Sequence, residues 1–375
     1  MRRGISGRGR AERNGCKVAL ALGAVIALTA SPAFAEEDES EEKFLLAPLV
    51  VTASPLASPL DELAAPVTVR TREDILASSA TSLGALLKDQ PGMSQSAFAA
   101  GASRPIIRGL DNNRVRIQEN GIAAGDVSAV SEDHGVPIAP YAADRVEVIR
   151  GPATLRYGSE AIGGVVNVIN ERIPRSVPKG GFEAEASASF DSVSAGRQIG
   201  GKAKAASGNL VWHVDGFFGE AGNYRIPGAT SRQAESWNNR SGFAGGASLL
   251  VGNGDVDGHV GASVAYYDSN YGIPAPGDPL NPVHIDMHQT KVQLDSELEF
   301  SRGFISGLSL SGGYSDYSHG EIDAAGVTGS RFDNEAWEGR AEFLHRAVGP
   351  FTGAFGVQAQ RRTIVASGEG GELLA

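Results

Sequence analysis

The sequence predicts an exported chain in which a compact α+β domain is followed by a transmembrane antiparallel β-barrel. Three observations point there. The amino terminus has the layout of a secretory signal. Residues 66–172 mix two short helical patterns with short, glycine-punctuated strands. From about Gly181 the chain becomes a series of alternating strands joined by connections of two lengths.

The signal reads as Arg2, Arg3, Arg8, Arg10, Arg13 and Lys17, then an apolar run from Val18 to Ala30, then Ala33-Phe34-Ala35 before an acidic start, which assigns residues 1–35 to a signal peptide. The apolar run is too short to serve as a bilayer anchor. The only cysteine, Cys16, precedes that run and leaves with it, so disulfides and cysteine-based metal sites or catalysis are excluded from the exported protein. The signal carries six basic residues and one acidic residue of the chain's 33 and 44, so the exported protein has a net charge near −16. A surface of that sign excludes nucleic acid as a partner and attracts cations or basic proteins. No segment of 18 or more apolar residues follows residue 35, which rules out a helical membrane protein but leaves a barrel open, because barrel strands alternate and give only a weak hydropathy signal.

Residues 36–65 begin EEDESEEKF and continue through Pro- and Ser-rich sequence in which one segment, Leu49, Val50, Val51, Thr52 and Ala53, is ready to form a strand. A detached segment of this kind suits addition to another protein's sheet edge, and equally suits a plain linker. Next comes the strand PVTVR, then a helix opened by Thr71 with Asp74 at the capping-box position. A second helix carries Leu83, Leu86 and Leu87 on one face and is stopped by Pro91-Gly92. Asn120-Gly121 signals a tight turn. Gly163-Gly164 suggests backbone in close approach to a neighbour.

Alternation is clearest in KVQLDSELEF, where Val292, Leu294, Leu298 and Phe300 fall on one face and Lys291, Gln293, Asp295, Glu297 and Glu299 on the other. About nine such strands precede Ala375. Connections near Ser207–Asn209, Gly252–Asp257, Arg302–Gly307 and Ala347–Pro350 are expected to be tight, and Tyr224–Arg240, Asp268–Gln289 and Tyr317–Asn334 to be long loops. Short turns on one rim and long loops on the other mark a transmembrane barrel, although a soluble sandwich would also alternate.

The segments LVVTA, LLKDQPGM, IIRGLDNNRVRIQENGI and DRVEVIRGPATLRYGSEAIGGVVNVI resemble the TonB box and plug domain of TonB-dependent outer-membrane receptors, continuously over residues 49–172. The resemblance implies a periplasmic tail at 36–65 with the TonB box at Leu49–Ala53, a plug at 66–175, and at 176–375 the first part of a barrel. About nine strands are present of an expected 22, too few to close it. It further implies an outer-membrane location, TonB with its inner-membrane energising complex and the outer-membrane assembly machinery as partners, and active transport with no catalytic role. An enzyme would need a nucleophile with a placed base or paired carboxylates in a cleft, and no residue here sits in a recognised catalytic context.

The stretch SAVSEDHGVPIAP sets Glu132, Asp133 and His134 side by side in a loop of small and apolar residues. If the long loops face outward, His134, His284, His288 and His319 lie toward the outer mouth, whereas His213, His259 and His345 lie near the short turns, where structural roles are expected. His284, Asp286 and His288 share a face in a strand, and Glu321 follows His319. Imidazole and carboxylate without thiol is a zinc-like donor set. The plug segment with Asp133-His134 and the later YRIP, NYGIPA and DYSH segments resemble the zinc-uptake branch of the family, which implies that Asp133 and His134 are metal ligands at the plug apex. Asp133, His134, His284, Asp286, His288, His319 and Glu321 are therefore the candidate ligands, to zinc or a similar divalent cation carried as cargo and not as a cofactor. The competing cargo is a ferric siderophore or other chelate, for which Tyr224, Tyr266, Tyr267 and Tyr271 offer aromatic lining or, equally, an interfacial girdle.

Overall fold

The computed structural model describes residues 66–151, 157–158, 160–228, 232–274, 282–368 and 371–374. The signal peptide and Leu49–Ala53 lie outside the described residues.

The α+β domain is built on a five-stranded sheet of β1 (Val67–Arg70), β4 (Val115–Glu119), β5 (Ile122–Ala123), β6 (Arg145–Arg150) and β7 (Gly164–Ile169), in the order β1-β6-β7-β4-β5. Only the β4–β7 pair is parallel. A small ribbon of β2 (Met93–Gln95) and β3 (Pro105–Ile107) stands apart. Helix α1 (Arg72–Ser78) starts on the reciprocal cap expected of its sequence: the Asp74 N–H donates to Thr71 Oγ1 at 3.3 Å and the Thr71 N–H to Asp74 Oδ2 at 3.1 Å. Helix α2 (Leu83–Leu87) is capped by Ser82, and it buries Leu83, Leu86 and Leu87 with Ile75, Ile107, Val146, Val148 and Val166 in one core. Asn120 and Gly121, with φ of 50° and 83°, make the two left-handed residues that a tight hairpin between β4 and β5 requires.

From Phe182 the chain forms one antiparallel sheet in sequence order: β8 (Phe182–Asp191), β9 (Gly196–Ser207), β10 (Leu210–Ala221), β11 (Asn238–Gly252), β12 (Val256–Ile273), β13 (Val283–Phe300), β14 (Ile305–Ile322), β15 (Thr328–Val348), β16 (Phe351–Gly368) and the short β17 (Gly371–Leu374). The turns at 208–209, 253–255, 301–304 and 349–350 are tight, as the sequence suggested. Two of the three expected long loops are shorter than expected. β12 runs on to Ile273 and β13 begins at Val283, while only residues 323–327 separate β14 from β15. The period-two pattern persists through these polar stretches, so ladder pairing continues where charge density alone suggests a loop.

The two faces of this sheet exclude a soluble sandwich. One face exposes Phe190, Ile199, Val214, Phe243, Val264, Leu294, Trp337, Phe355 and Val357. The other buries Lys204, His213, Arg240, Ser263, Gln289, Lys291, Gln293, Asn334 and Glu338 against the α+β domain. Apolar outside and polar inside is the reverse of a water-soluble sheet and is what a wall between hydrocarbon and a filled lumen requires. In β13, Leu294 is 58% exposed and Gln293 is 4% exposed, with its amide donating to the Glu119 carbonyl at 2.8 Å.

The seam between domain and wall is polar. The Arg172 guanidinium donates two bonds to Asp215, at 2.8 and 3.0 Å, and a third to Glu119 at 3.0 Å; Lys291 reaches the other Glu119 oxygen at 3.2 Å. Arg116 pairs with Glu338, Lys202 with Asp144 and Lys204 with Glu171. Burial raises the proton affinity of Glu119, but Lys291 and Arg172 outweigh it and hold the carboxyl below the usual glutamate range. The three histidines near the tight turns have structural partners: His213 with Asp215 at 3.2 Å, His259 with Asp295 at 2.8 Å, and His345 stacked on Phe304.

Candidate functional site

His134 lies on the segment that follows β5, and the segment folds back on itself so that the Val127 carbonyl meets His134 Nδ1 at 3.1 Å. The bend is set by Asp126, whose Oδ1 accepts from the Ser128 N–H at 3.0 Å and its hydroxyl at 2.9 Å. A carbonyl only accepts, so Nδ1 carries a proton, and in the neutral ring Nε2 carries the lone pair. That Nε2 is buried without a hydrogen-bond partner, 3.5 Å from Glu321 Oε1 and 3.8 Å from Asp133 Oδ1. A lone pair facing carboxylate oxygens is unfavourable unless a proton or a cation lies between them.

The wall supplies the rest. Alternation on β14 turns Ser315, Tyr317, His319 and Glu321 to the inner face, and His319 is 1% exposed. Its Nδ1 lies 2.9 Å from the Tyr317 hydroxyl, and its Nε2 is a second buried nitrogen with no partner. The two imidazoles meet edge to face with centroids 4.4 Å apart, and Phe332 stacks on His319 at 4.8 Å. One ligand atom from each of His134, His319 and Glu321 falls within 4.8 Å of the others. Ligand atoms of a tetrahedral zinc site stand about 3.4 Å apart, given bonds of about 2.1 Å. The His134–Glu321 edge is already at that spacing, and small side-chain movements would close the others. Two nitrogens and one carboxylate leave a fourth position, next to which Asp133 lies, held by the Ser131 hydroxyl.

The expected loop partners His284, Asp286 and His288 are not part of this group. All three lie on β13 and share its outer face, with Asp286 and His288 exposed and His284 beside Trp237, centroids 5.9 Å apart. The inner-face residues of that stretch are Ile285, Met287 and Gln289. Period-two geometry sends every even residue outward, and no lifted loop reverses it, because the strand starts at Val283. The tyrosines also divide. Tyr266 packs on Phe243, Tyr267 faces Phe217, Tyr224 is partly exposed, and Tyr271 is fully buried against the segment that carries His134. They do not converge into an aromatic chelate site. Sequence reasoning missed Tyr317 and Phe332; the inward period of two from His319 was the available sign for Tyr317.

Comparison with known proteins gives the domain and the architecture. Residues 59–165 match the family model TonB-dependent Receptor Plug Domain. Among solved structures, the chain is similar to the Copper transporter OprC, with TM-score 0.66 and 16% identity over 85% of this chain and 47% of that one. It is also similar to the FrpB iron transporter from Neisseria meningitidis (F3-3 variant), with TM-score 0.65 and 14% identity over 80% and 49%. The unliganded ferric citrate transporter FecA gives TM-score 0.58 and 17% identity over 82% and 57%. The chain spans about half the length of these transporters. Residues 59–165 thus match a TonB-dependent receptor plug domain, and the strands that follow share the fold of these transporter structures.

Proposed function

We propose that the chain belongs to an outer-membrane receptor that takes up a divalent cation, zinc first among the candidates, in TonB-dependent active transport and without catalysis. One observation carries the reading: two buried, unpartnered imidazole nitrogens, one from the plug and one from the wall, converge on the carboxylate of Glu321. Asp133 and Glu321 are the part of the group open to solvent, with side chains 21% and 25% exposed. A hydrated cation would meet these carboxylates first and exchange its remaining water for the imidazoles beneath. Because His134 rides on the plug and His319 and Glu321 on the wall, the group exists only while the plug is docked. Pulling the plug away separates the ligands and releases the ion inward. The pull would come from TonB and its energising complex through Leu49–Ala53, in a barrel placed by the outer-membrane assembly machinery.

A bulky ferric chelate fits poorly, because both imidazoles are buried in packed surroundings, with Tyr317 and Phe332 against His319. Copper is a second reading with an observation of its own. Met287 is 1% exposed and directly opposite His319 in the β13–β14 register, and a thioether suits a softer ion. Competition among zinc, copper, nickel and a ferric siderophore, by titration calorimetry of the full-length receptor, is expected to rank zinc or copper first. Siderophore binding with no response to free metal would return the protein to the chelate class. For the energy link, Val51→Pro should abolish uptake while leaving receptor abundance and external metal binding unchanged, because proline cannot complete a strand ladder. Normal uptake by that variant would remove the TonB-box assignment.

A further inference from the structure

We propose that Tyr271, on the wall strand β12, is the positioning residue of the plug ligand His134; the proposal rests on the metal-binding reading above. Its hydroxyl donates to the Asp133 carbonyl at 2.7 Å and accepts from the Gly135 N–H at 2.9 Å. One oxygen therefore holds the peptide groups on both sides of His134. The side chain is 0% exposed, so neither bond has water as a ready substitute. The fit around it depends on missing side chains. A Cβ at Gly101 would lie 2.2 Å from the Tyr271 ring, and one at Gly135 would lie 2.5 Å from the Gly101 carbonyl oxygen.

The other end of the same segment is latched separately. Gln289 donates to the Ala124 and Gly125 carbonyls at 2.9 Å each, and Asn334 and Ser315 donate to Gly125 at 3.0 and 3.1 Å. The bond that sets the His134 tautomer, from Nδ1 to the Val127 carbonyl, runs between the latched end and the end held by Tyr271. Fixing both ends from the wall fixes where Nε2 points relative to His319 and Glu321, two residues of that same wall. A ligand pre-set in this way loses less conformational freedom when the ion arrives.

Tyr271→Phe keeps the ring that fills the space at Gly101 and removes only the hydroxyl. Tyr267→Phe, on the same strand and packed toward Phe217, is the control. In the full-length receptor, zinc affinity measured well below the unfolding transition is expected to fall about tenfold in Tyr271→Phe and to stay unchanged in Tyr267→Phe; Tyr271→Phe should also melt somewhat lower, because the Asp133 carbonyl and the Gly135 N–H lose their buried partner. The visible absorption of the cobalt-loaded protein should change in position or intensity for Tyr271→Phe alone, which a merely structural tyrosine would not produce. In the metal-free receptor, the Gly135 amide should exchange faster with solvent in Tyr271→Phe. Equal zinc affinity and an unchanged cobalt spectrum in Tyr271→Phe, with the wild type binding normally, would overturn the positioning role. No metal binding by the wild type would overturn the metal-site reading, and the positioning role with it; the Gly135 exchange would then report only a structural clamp.

Discussion

Replacing both His134 and His319 with alanine is expected to weaken zinc binding by at least a hundredfold, about 2.7 kcal/mol, and either single replacement by at least tenfold. The two imidazoles are the only buried nitrogens of the group among the described residues, so the double variant leaves carboxylates alone, which suit harder ions. Some stability should be lost as well, since each replacement empties buried ring volume beside Phe332 and removes an Nδ1 bond, to the Val127 carbonyl or from the Tyr317 hydroxyl, so affinity is compared on protein that is still fully folded. A ligand must be unprotonated to bind, so wild-type affinity should drop with falling pH as protons compete with the ion for the imidazole nitrogens, and that dependence should flatten in the double variant. Calorimetric titration of wild type and variants at two pH values checks both statements. Unchanged affinity in the double variant would place the cation elsewhere.

The parts of this protein that were legible in its sequence are those decided by neighbours along the chain. The Thr71–Asp74 cap and the Asn120-Gly121 turn are local chemistry, and the alternation of β13 is a property of one strand. The candidate ligand group is not local: residue 134 meets residues 319 and 321 only because the plug docks on β14. The Asp-His pair is conspicuous in the sequence because three ionisable groups stand together in an apolar loop. For His284, Asp286 and His288, composition suggested a site and parity contradicted it. Parity prevailed, because a strand cannot turn a face without a bulge and β13 has none in its pairing with β12. The hydroxyl of Tyr271 was invisible for a different reason. Its partners are backbone groups, and sequence carries no trace of which carbonyl a side chain will reach.

The seam that docks the plug leads to the other large effect expected. Arg172 stands between Glu119 on the plug and Asp215 on the wall, and all three are nearly excluded from water. Arg172→Met removes the cation and leaves Asp215 with His213, and Glu119 with Lys291 and the Asn170 amide, at a cost of about 3–5 kcal/mol for under-compensated buried charge. The midpoint of urea unfolding of the plug in the detergent-solubilised receptor should fall accordingly. The sign of the pH dependence follows from Glu119, whose carboxyl is held below its ordinary value of 4.5 in the folded state. Its contribution is complete above that value and disappears as pH falls through the folded-state value, so acid should narrow the gap between wild type and variant. Adding Glu119→Leu, Asp215→Leu and Lys291→Met to Arg172→Met replaces the whole charged set with apolar side chains, Lys291 included because Glu119 is its partner, and should recover most of the loss. If Arg172→Met alone unfolds at the wild-type midpoint, water already shares the cluster and the seam is held by its neutral contacts, chiefly the Gln293, Gln289 and Asn334 amides on plug carbonyls.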